Sequence, residues 1–276
     1  MRQTRRFGDL LSTFALLIAA LLVAFPFFWM VRTSIMPESE AMRFPPVWVP
    51  SSLTGKHYRD AVTLQPFVRY LLNSAFVTVT VVVGQLLTAS MAAYAFSRLR
   101  FRGRDRLFLV YLATMMIPFQ VTLIPLYVII SRAGLVDRLA ALILPGLFST
   151  YLTFLLRQFF LSIPAELEDA ARIDGAGYLR VYATIILPLS KPALATCALF
   201  AFMGSWTSFL WPLIVISTRE NRTVPLGLAA LQQTMGYVDF PQLMAGSVMA
   251  IAPICTVFIA LQRYFVPSVA LTGLKG

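Results

Sequence analysis

Six stretches of this sequence are long and apolar, each with at most one charged residue, and they constrain the fold more than any other feature. They cover approximately residues 10–31, 70–96, 107–131, 139–160, 192–218 and 240–264. About 20 helical residues cross the roughly 30 Å of hydrocarbon in a bilayer, so each stretch is long enough to span it. The residues lack the alternation of membrane β-strands, and backbone groups in lipid must be satisfied within a helix or a closed barrel. The sequence therefore predicts an all-α integral membrane protein in which residues 1–276 form a single transmembrane domain with six transmembrane helices.

The composition agrees with a membrane protein. Hydrophobic residues make up 58% of the 276, and the mean hydropathy is +0.76. One soluble core of ordinary size cannot hide that much apolar surface.

The distribution of Lys and Arg predicts the orientation. An even number of spans places both termini on one side, and that side holds fourteen of the 23 Lys and Arg residues. The short segment 97–106 contributes five arginines close behind a span, which are hard to translocate. We therefore expect cytoplasmic N- and C-termini. The net charge of +11 then reflects topology and contact with anionic lipid rather than nucleic acid, because no basic stripe is interleaved with aromatic residues outside the spans.

Three less informative features have structural interpretations. The three arginines before residue 7 resemble the start of a signal peptide, but the apolar run that follows is too long, and we expect a retained first helix. Cys197 and Cys255 lie in predicted spans without metal-like spacing, so packing is their expected role. His57, the single histidine, has no partners for a ligand set or an acid–base pair.

The sequence lacks the patterns of self-sufficient chemistry. It contains no glycine-rich phosphate loop, no HExxH and no nucleophile elbow, and all twelve acidic residues fall outside the apolar stretches. Proton- or sodium-coupled carriers often use acids within the membrane. A self-sufficient secondary carrier or channel is therefore the alternative to a transporter energised by partner subunits, and a membrane-embedded enzyme is a weaker third option.

The most informative polar segment is the loop 162–191 between the fourth and fifth spans. Pro164 stands where a helix can start, and Glu166, Glu168 and Asp169 follow in the first turn. The positive end of the helix dipole favours carboxylates there. The pattern predicts a short helix at the membrane face.

Small residues follow the acids in this loop. Ala170 and Ala171 have high helix propensity and little bulk, and Gly175 with Gly177 supplies a break that can turn left-handed. An apolar-rich stretch then predicts a second helical segment that stops at Pro188. The loop thus presents small residues either to a docking partner or, in the alternative interpretation, only to lipid, as an amphipathic interfacial helix does.

At this point the loop resembles a known motif. It is similar to the EAA coupling loop of bacterial ABC importer permeases, whose pattern is EAA, three residues, G, nine residues, I, one residue, LP. Here the matching residues are Asp169-Ala170-Ala171, Gly175, Ile185 and Leu187-Pro188. The departure is Asp169 for Glu, which keeps the charge and shortens the reach by one methylene.

The resemblance covers nearly the whole chain and narrows to carbohydrate-type permeases similar to the smaller subunit of the maltose importer. Other supporting stretches are residues 70–74, 118–120, 124–127, 157–160, 206–213, 223–227 and the ending 271–276. Thr207 stands where the family usually has Asn. The ending is shorter than the family's, and the resemblance implies that Lys275 in this tail lies toward an ATPase.

The resemblance implies a non-catalytic permease subunit of an ATP-driven, binding-protein-dependent sugar importer in a bacterial or archaeal inner membrane. The implied partners are a second homologous permease, two ABC ATPases, an extracytoplasmic solute-binding protein, the sugar and membrane lipid. ATP and Mg would bind to the ATPases, and no cofactor or metal to this chain. The expected ATPase-coupling residues are Glu166, Glu168, Asp169, Ala170, Ala171, Arg172, Asp174 and Gly175.

Polar residues within the spans are candidates for the substrate path. They are Gln120, Thr122, Ser205, Trp206, Thr207, Ser208 and Ser247. Their polar groups could bind sugar hydroxyls, and an indole could stack on a pyranose. The alternative is that these side chains join neighbouring helices, as small and hydroxyl residues often do in membranes. The sequence does not identify the solute, nor which of the two permeases contacts it.

Overall fold

The computed structural model describes the backbone of residues 2–63, 65–233 and 239–264, and every regular element in these ranges is helical. The α-helices are α1 (Arg2–Ser34), α2 (Glu38–Ala41), α3 (Lys56–Thr63), α4 (Phe67–Arg98), α5 (Arg104–Ala113), α6 (Phe119–Arg132), α7 (Ala140–Gly146), α8 (Thr150–Leu161), α9 (Glu166–Ile173), α10 (Tyr178–Val181), α11 (Leu187–Leu189), α12 (Lys191–Trp206), α13 (Leu210–Val215), α14 (Val224–Gln233) and α15 (Phe240–Leu261). The prediction of an all-α chain is confirmed.

Five helical stretches are long and apolar enough to cross a membrane, and they lie at five of the six predicted spans. They are Ser12–Ser34, Phe67–Arg98, Ala140–Leu161, Lys191–Val215 and Phe240–Tyr264. The remaining stretch, expected near 107–131, is a pair of helices, Arg104–Met116 and Phe119–Arg132, bent by 96°. The predicted number of six is reached when this bent pair counts as one span.

The bend in the third stretch has a local cause. Ile117 is extended, with φ −82° and ψ 112°, and Pro118 follows it. A proline disfavours the helical conformation of the residue before it and has no N–H for the helix ladder. The chain therefore leaves one helix at Ile117 and starts α6 at Phe119 in a new direction.

The described helices fall into two compact units. In the first, Met1–Val68 with Gly227–Ala252, the end of α1 is fixed by Arg32. Its Nε donates to the Trp48 carbonyl at 3.1 Å, and its guanidinium lies 4.3 Å from the ring centroid of Trp29. His57 is buried, with Nε2 3.0 Å from the Met36 carbonyl oxygen and Nδ1 4.0 Å from Asp239 Oδ1, an acidic neighbour that the sequence did not reveal.

The second unit, Arg69–Leu226 with the described part of Pro253–Gly276, is built around the 32-residue helix α4. Two groups of buried side chains lie along this helix. One contains Val77, Val81, Ala141, Trp211 and Val215, and the other contains Ala89, Ala93, Leu156, Phe160 and Cys197. Cys197 therefore packs in a core, as expected, whereas Cys255 is exposed.

Helix α4 also supplies hydrogen-bond donors to backbone carbonyls at the break between α7 and α8. Gln85 Nε2 donates to the Gly146 carbonyl at 2.7 Å, and Thr88 Oγ1 donates to the Leu147 carbonyl at 2.8 Å. These two carbonyls belong to the interruption of an apolar span, where lipid offers no hydrogen-bond donor. The interruption is therefore tolerated because α4 lies against it.

Asp137 joins two loops of the second unit. Its carboxylate Oδ1 accepts hydrogen bonds from the backbone N–H groups of Ser217 and Thr218, each at 2.9 Å, and its own N–H donates to the Val215 carbonyl. Partial burial opposes the charge of this group, but the hydrogen bonds from Thr218 and Ser217 outweigh that effect and lower the pKa of Asp137. The carboxylate thus keeps its charge and holds the loop before α7 to the loop after α13.

We predict that Gly84→Leu destabilises the protein by roughly 1–3 kcal/mol, the usual cost of overpacking a close contact. A Cβ at Gly84 would lie 2.5 Å from Cδ2 of Leu147, so the Leu147 side chain must move, and the further atoms of a leucine at position 84 would press on the break between α7 and α8. The matched control is Gly204→Leu, because a Cβ at Gly204 would meet no atom within 4 Å. Thermal unfolding of the purified variants measures the effect, and equal melting temperatures would contradict it.

Candidate functional site

The loop 162–191 contains the predicted short helix. Helix α9 begins at Glu166, two residues after Pro164, and its first turn contains the three acidic residues expected there. Carboxylates in this position interact favourably with the free N–H groups and the dipole of the helix. The sequence located this eight-residue element correctly.

The second segment of the loop differs from the prediction. It continues past Pro188 and breaks only at Ser190, through Tyr178–Val181, a π-helical turn at Tyr182–Ile186 and Leu187–Leu189. In the π turn the backbone N–H of Leu187 donates to the carbonyl of Tyr182, five residues back. The wider turn shifts the hydrogen-bond pattern just before a residue that has no N–H to donate. Pro188 therefore does not end the helix.

Gly175 ends α9 in a left-handed conformation, with φ +82°. The N–H of Gly175 donates to the carbonyl of Arg172, and the N–H of Ala176 donates to the carbonyl of Ala171. These two bonds form a Schellman motif, which satisfies carbonyls at the end of a helix and favours glycine at the left-handed position. The expected left-handed break is thus at Gly175, while Gly177 has an ordinary φ of −72°.

A buried ion pair joins α9 to the end of α4. Arg98 Nε lies 2.9 Å from Oε1 of Glu168, with only 11% and 5% of the two side chains exposed. Arg98 Nη2 also donates to the backbone carbonyls of Phe160 and Ile163. Arg172 lies near the same carboxylate, with its Nη2 3.9 Å from Oε2. One arginine of α4 therefore holds the end of α8, the start of the loop and the loop helix.

Helix α9 buries a charged side chain and exposes apolar ones, which is the reverse of an ordinary surface helix. It buries Glu168 at 4% exposure, while Leu167 is 45% and Ile173 is 87% exposed. Leu179 and Tyr178, which follow the turn, are also exposed, and the guanidinium of Arg172 lies 4.7 Å from the Tyr178 ring centroid. Exposed apolar side chains rimmed by charges are typical of a surface that binds a partner. We call Leu167, Ile173, Tyr178 and Leu179 the loop patch.

The structure places most of the expected coupling residues on the accessible side of the loop. Those that are exposed are Glu166, Asp169, Ala170, Arg172, Asp174 and Gly175, whereas Ala171 is half-buried. Glu168 is directed inward to Arg98, so its contribution is to hold the loop. Lys275 lies outside the described residues. The sequence reasoning missed the loop patch, although Leu167 and Ile173 stand out as apolar residues in an otherwise polar helix.

A cavity of about 570 Å³ lies in the second unit. Its wall comes from α4, the start of α6, the α7–α8 interruption, α12 and α13. Among the predicted path residues it includes Gln120, Ser205 and Ser208. The volume lies in the range typical of small-molecule sites.

The other predicted path residues lie elsewhere. Thr122 and Thr207 donate their hydroxyls to carbonyls of their own helices, of Phe119 and Met203. Trp206 is buried and stacks on Phe202, with ring centroids 5.4 Å apart. Ser247 belongs to the first unit and donates to the Leu243 carbonyl. These four side chains show the helix-joining or helix-internal contacts that the alternative interpretation expects.

Several lining residues were missed by the sequence reasoning. They include the rings of Phe119, Tyr151 and Phe200, the polar side chains of Gln85, Ser149 and Thr223, and a larger number of aliphatic residues. Among the described residues, no group of three or more His, Cys, Asp or Glu side chains is placed to hold a metal ion. The cavity wall combines uncharged polar groups with aromatic and aliphatic side chains.

Comparisons with known proteins agree on one class. Residues 84–271 match the family model of binding-protein-dependent transport system inner membrane components. The chain is 36% identical to the arabinooligosaccharides transport system permease protein AraQ of Halalkalibacterium halodurans, over 100% of this chain and 99% of that protein. It is 34% identical to the sn-glycerol-3-phosphate transport system permease protein UgpE of Rhizobium meliloti, over 99% of each.

A solved structure resembles this one over nearly its full length. It is a chain of a bacterial ABC transporter involved in the import of the acidic polysaccharide alginate, with a TM-score of 0.82 and 28% identity over 96% of this chain and 98% of that chain. A second chain, from a bacterial alginate ABC transporter in complex with an alginate pentasaccharide-bound periplasmic protein, has a TM-score of 0.66 and 13% identity over 95% and 94%. The second likeness shows the fold alone.

We predict that Glu168→Gln destabilises the loop by roughly 3 kcal/mol, because it leaves the mostly buried Arg98 without its counter-charge. Glu166→Gln is the matched control, since Glu166 is an exposed acid in the same helix turn. Thermal unfolding and protease sensitivity of the loop 162–191 report the difference. If both variants behaved as the unsubstituted protein, the ion pair would not hold the loop.

Proposed function

The chain belongs to the family of binding-protein-dependent transport system inner membrane components, and we propose that it forms one permease half of an ATP-driven sugar importer. It is a membrane permease component by this membership. The partners, the coupling contacts and the solute class form the proposed part. The observation that carries the proposal is that α9 buries Glu168 and leaves the apolar loop patch exposed.

The loop patch supplies a docking surface for an ABC ATPase. An isolated membrane protein gains nothing by exposing Ile173 to water while it buries Glu168. A partner cleft that covers the patch removes this apolar surface from water, and Asp169, Arg172 and Asp174 are placed to form charge-assisted hydrogen bonds at its rim. This requires the loop to be cytoplasmic, as the Lys and Arg distribution predicts.

Helix α4 offers a route from the docked loop to the cavity. Its 32 residues form an unbroken helix about 48 Å long. Its end holds the loop through Arg98, and Val77, Val81 and Gln85 of the same helix line the cavity. A displacement of α9 by the closing ATPases is thus passed to the cavity wall. Closure shifts the importer between inward-open and outward-open states, because nucleotide binds the two states with different affinity.

The cavity forms this chain's half of the translocation path, and a second homologous permease supplies the other half. Gln120, Ser205 and Ser208 are the sequence-predicted residues that support this assignment. A soluble binding protein delivers the solute from outside, in keeping with the family's name. ATP and Mg bind to two ATPase subunits. The names of the relatives refer to arabinooligosaccharides and to sn-glycerol-3-phosphate, so the family alone does not fix the solute.

We predict that Ile173→Ser weakens ATPase binding without loss of permease stability. The side chain is 87% exposed, so its removal leaves the permease core unchanged and deletes apolar area from the loop patch. The measurement is the ratio of ATPase to permease in complexes purified from the native host, together with the melting temperature. Leu53→Ser is the matched control, because Leu53 is 75% exposed but lies between α2 and α3, outside the spans and outside the loop 162–191. A normal ATPase ratio for Ile173→Ser would exclude the loop patch as the docking surface.

We also predict that Gly175→Leu reduces ATPase co-purification and solute-stimulated ATP hydrolysis. A non-glycine residue at φ +82° costs roughly 1–2 kcal/mol, so the end of α9 changes shape while the spans stay folded. Gly177→Leu is the control, since its φ of −72° suits any residue and no atom lies within 4 Å of an added Cβ. Unchanged docking and hydrolysis in Gly175→Leu would show that this turn does not act as the lever.

A further inference from the structure

The connection between α4 and α5 has an excess of positive charge that the described protein does not neutralise. Residues 98–106 contain five arginines and one acid. Two of the arginines have a carboxylate partner, because Arg98 pairs with Glu168 and the Nε of Arg104 donates to Asp105 Oδ1 at 2.9 Å. The other three side chains are exposed and make no ion pair or hydrogen bond with any described residue; they are Arg100, Arg102 and Arg106.

The backbone gives this connection a defined shape. The N–H of Arg104 donates to the carbonyl of Phe101 at 3.3 Å, and Gly103 between them has φ +84° and ψ 5°. These angles are those of the third residue in a type II turn, where glycine is favoured. Residues 100–106 line one open cleft, and we call them the arginine turn. A preformed turn loses less conformational entropy when it binds a ligand than a flexible chain does.

Aromatic rings join the arginine turn to the membrane-spanning stretches. The ring centroid of Phe101 lies 6.4 Å from that of Phe96 in α4, which lies 5.3 Å from that of Phe108 in α5. The guanidinium of Arg157 in α8 lies 4.1 Å from the Phe108 centroid, and its Nη2 is 3.8 Å from Asp105 Oδ1. Helices α4, α5 and α8 all belong to candidate spans. The turn is therefore at the membrane surface, on the same side as α9.

Exposed apolar side chains begin directly after the last arginine of the turn. Leu107, Leu109 and Val110 of α5 are each more than half exposed. The four residues from Arg106 to Val110 cover only about 6 Å of helix. The uncompensated guanidinium groups and the apolar face of α5 are therefore close enough for one ligand to cover both. Such a ligand has an anionic head and an apolar tail.

A phosphodiester suits the head of this ligand. The planar guanidinium group binds phosphate oxygens through two parallel N–H bonds, which are stronger than hydrogen bonds between neutral groups. Basic pockets beside transmembrane helices bind the headgroups of anionic lipids in this way. A free phosphate would neutralise the arginines but leave the apolar face of α5 uncovered. An amphipathic phosphate covers both surfaces.

From these contacts we propose that the arginine turn binds the phosphate of one anionic phospholipid, whose acyl chains lie along the exposed face of α5. The Lys and Arg distribution predicts that this lipid belongs to the cytoplasmic leaflet. Its binding depends on three particular arginines in one turn rather than on the total basic charge of the chain. The bound phosphate also offsets the repulsion between these arginines and Arg98, and so stabilises the end of α4 that holds Glu168.

The test uses the importer purified with its native partners in detergent and titrated with phosphatidylglycerol. Native mass spectrometry measures the lipid bound to each complex. The triple variant Arg100→Gln/Arg102→Gln/Arg106→Gln is expected to bind phosphatidylglycerol about tenfold more weakly, because it loses three charge-assisted contacts. These side chains are exposed, so the melting temperature is expected to stay unchanged.

A matched triple variant removes the same charge from other exposed positions on the predicted cytoplasmic side. It is Arg180→Gln/Lys191→Gln/Arg263→Gln. Its affinity for phosphatidylglycerol is expected to change by less than about twofold, since the arginine turn is intact. An equal loss in both triple variants would show a general attraction of positive charge for anionic lipid and would overturn the site.

Two further probes identify the source of the phosphate. Phosphatidylcholine with the same acyl chains is expected to bind more weakly than phosphatidylglycerol, because its choline cation cancels the charge of its phosphate. Inorganic phosphate at the concentration of the lipid is not expected to displace phosphatidylglycerol. Displacement would overturn the lipid assignment in favour of a soluble anion.

A protein partner is the remaining alternative for the arginine turn. If the first triple variant lost its ATPase subunits while it bound phosphatidylglycerol normally, the turn would be a protein contact and the lipid site would be overturned. None of these results depends on the solute or on the binding protein, so they leave the proposed function as it stands.

Discussion

Backbone groups within hydrocarbon find hydrogen-bond partners only in the protein, and the second unit of this structure is arranged around that constraint. Its spans are interrupted between α7 and α8 and between α12 and α13. At the first interruption α4 supplies the missing donors from Gln85 and Thr88. The ring nitrogen of Trp211 in α13 likewise donates to Ala141 of α7. Irregular backbone can therefore line a cavity at membrane depth, because neighbouring helices complete its hydrogen bonds.

The same helix connects this cavity to the polar loop. Arg98 stands at the end of α4, and Glu168 is the only acidic residue of α9 that is directed inward. Because the acid is buried, the helix presents Leu167 and Ile173 outward instead of packing them. The ion pair therefore determines which face of α9 is free for a partner. Electrostatics inside the loop and the apolar surface outside it are two aspects of one arrangement.

The sequence predicted the features that follow from local chemistry. Apolar length predicted the spans, first-turn acids predicted α9, and Gly175 predicted its left-handed end. The direction in which each side chain points in the folded protein could not be predicted from local sequence. Gln120 lines the cavity and Thr122 does not, although they are two residues apart, because such residues point to different sides of a helix. Glu168 was grouped with its exposed neighbours, since its position among three acids gives no sign of the arginine that reaches it from α4.

The contacts of Arg98 also determine how transferable the loop is between permeases. Two of its three partners are backbone carbonyls, at Phe160 and Ile163, which any amino-acid sequence supplies. Only the contact with Glu168 depends on a side chain. A chimera that imports residues 162–191 from another permease should thus assemble when the donor loop carries a carboxylate at the third position of its short helix. A donor loop without that acid would have to be transplanted together with the end of α4, so the unit of exchange is larger than the loop.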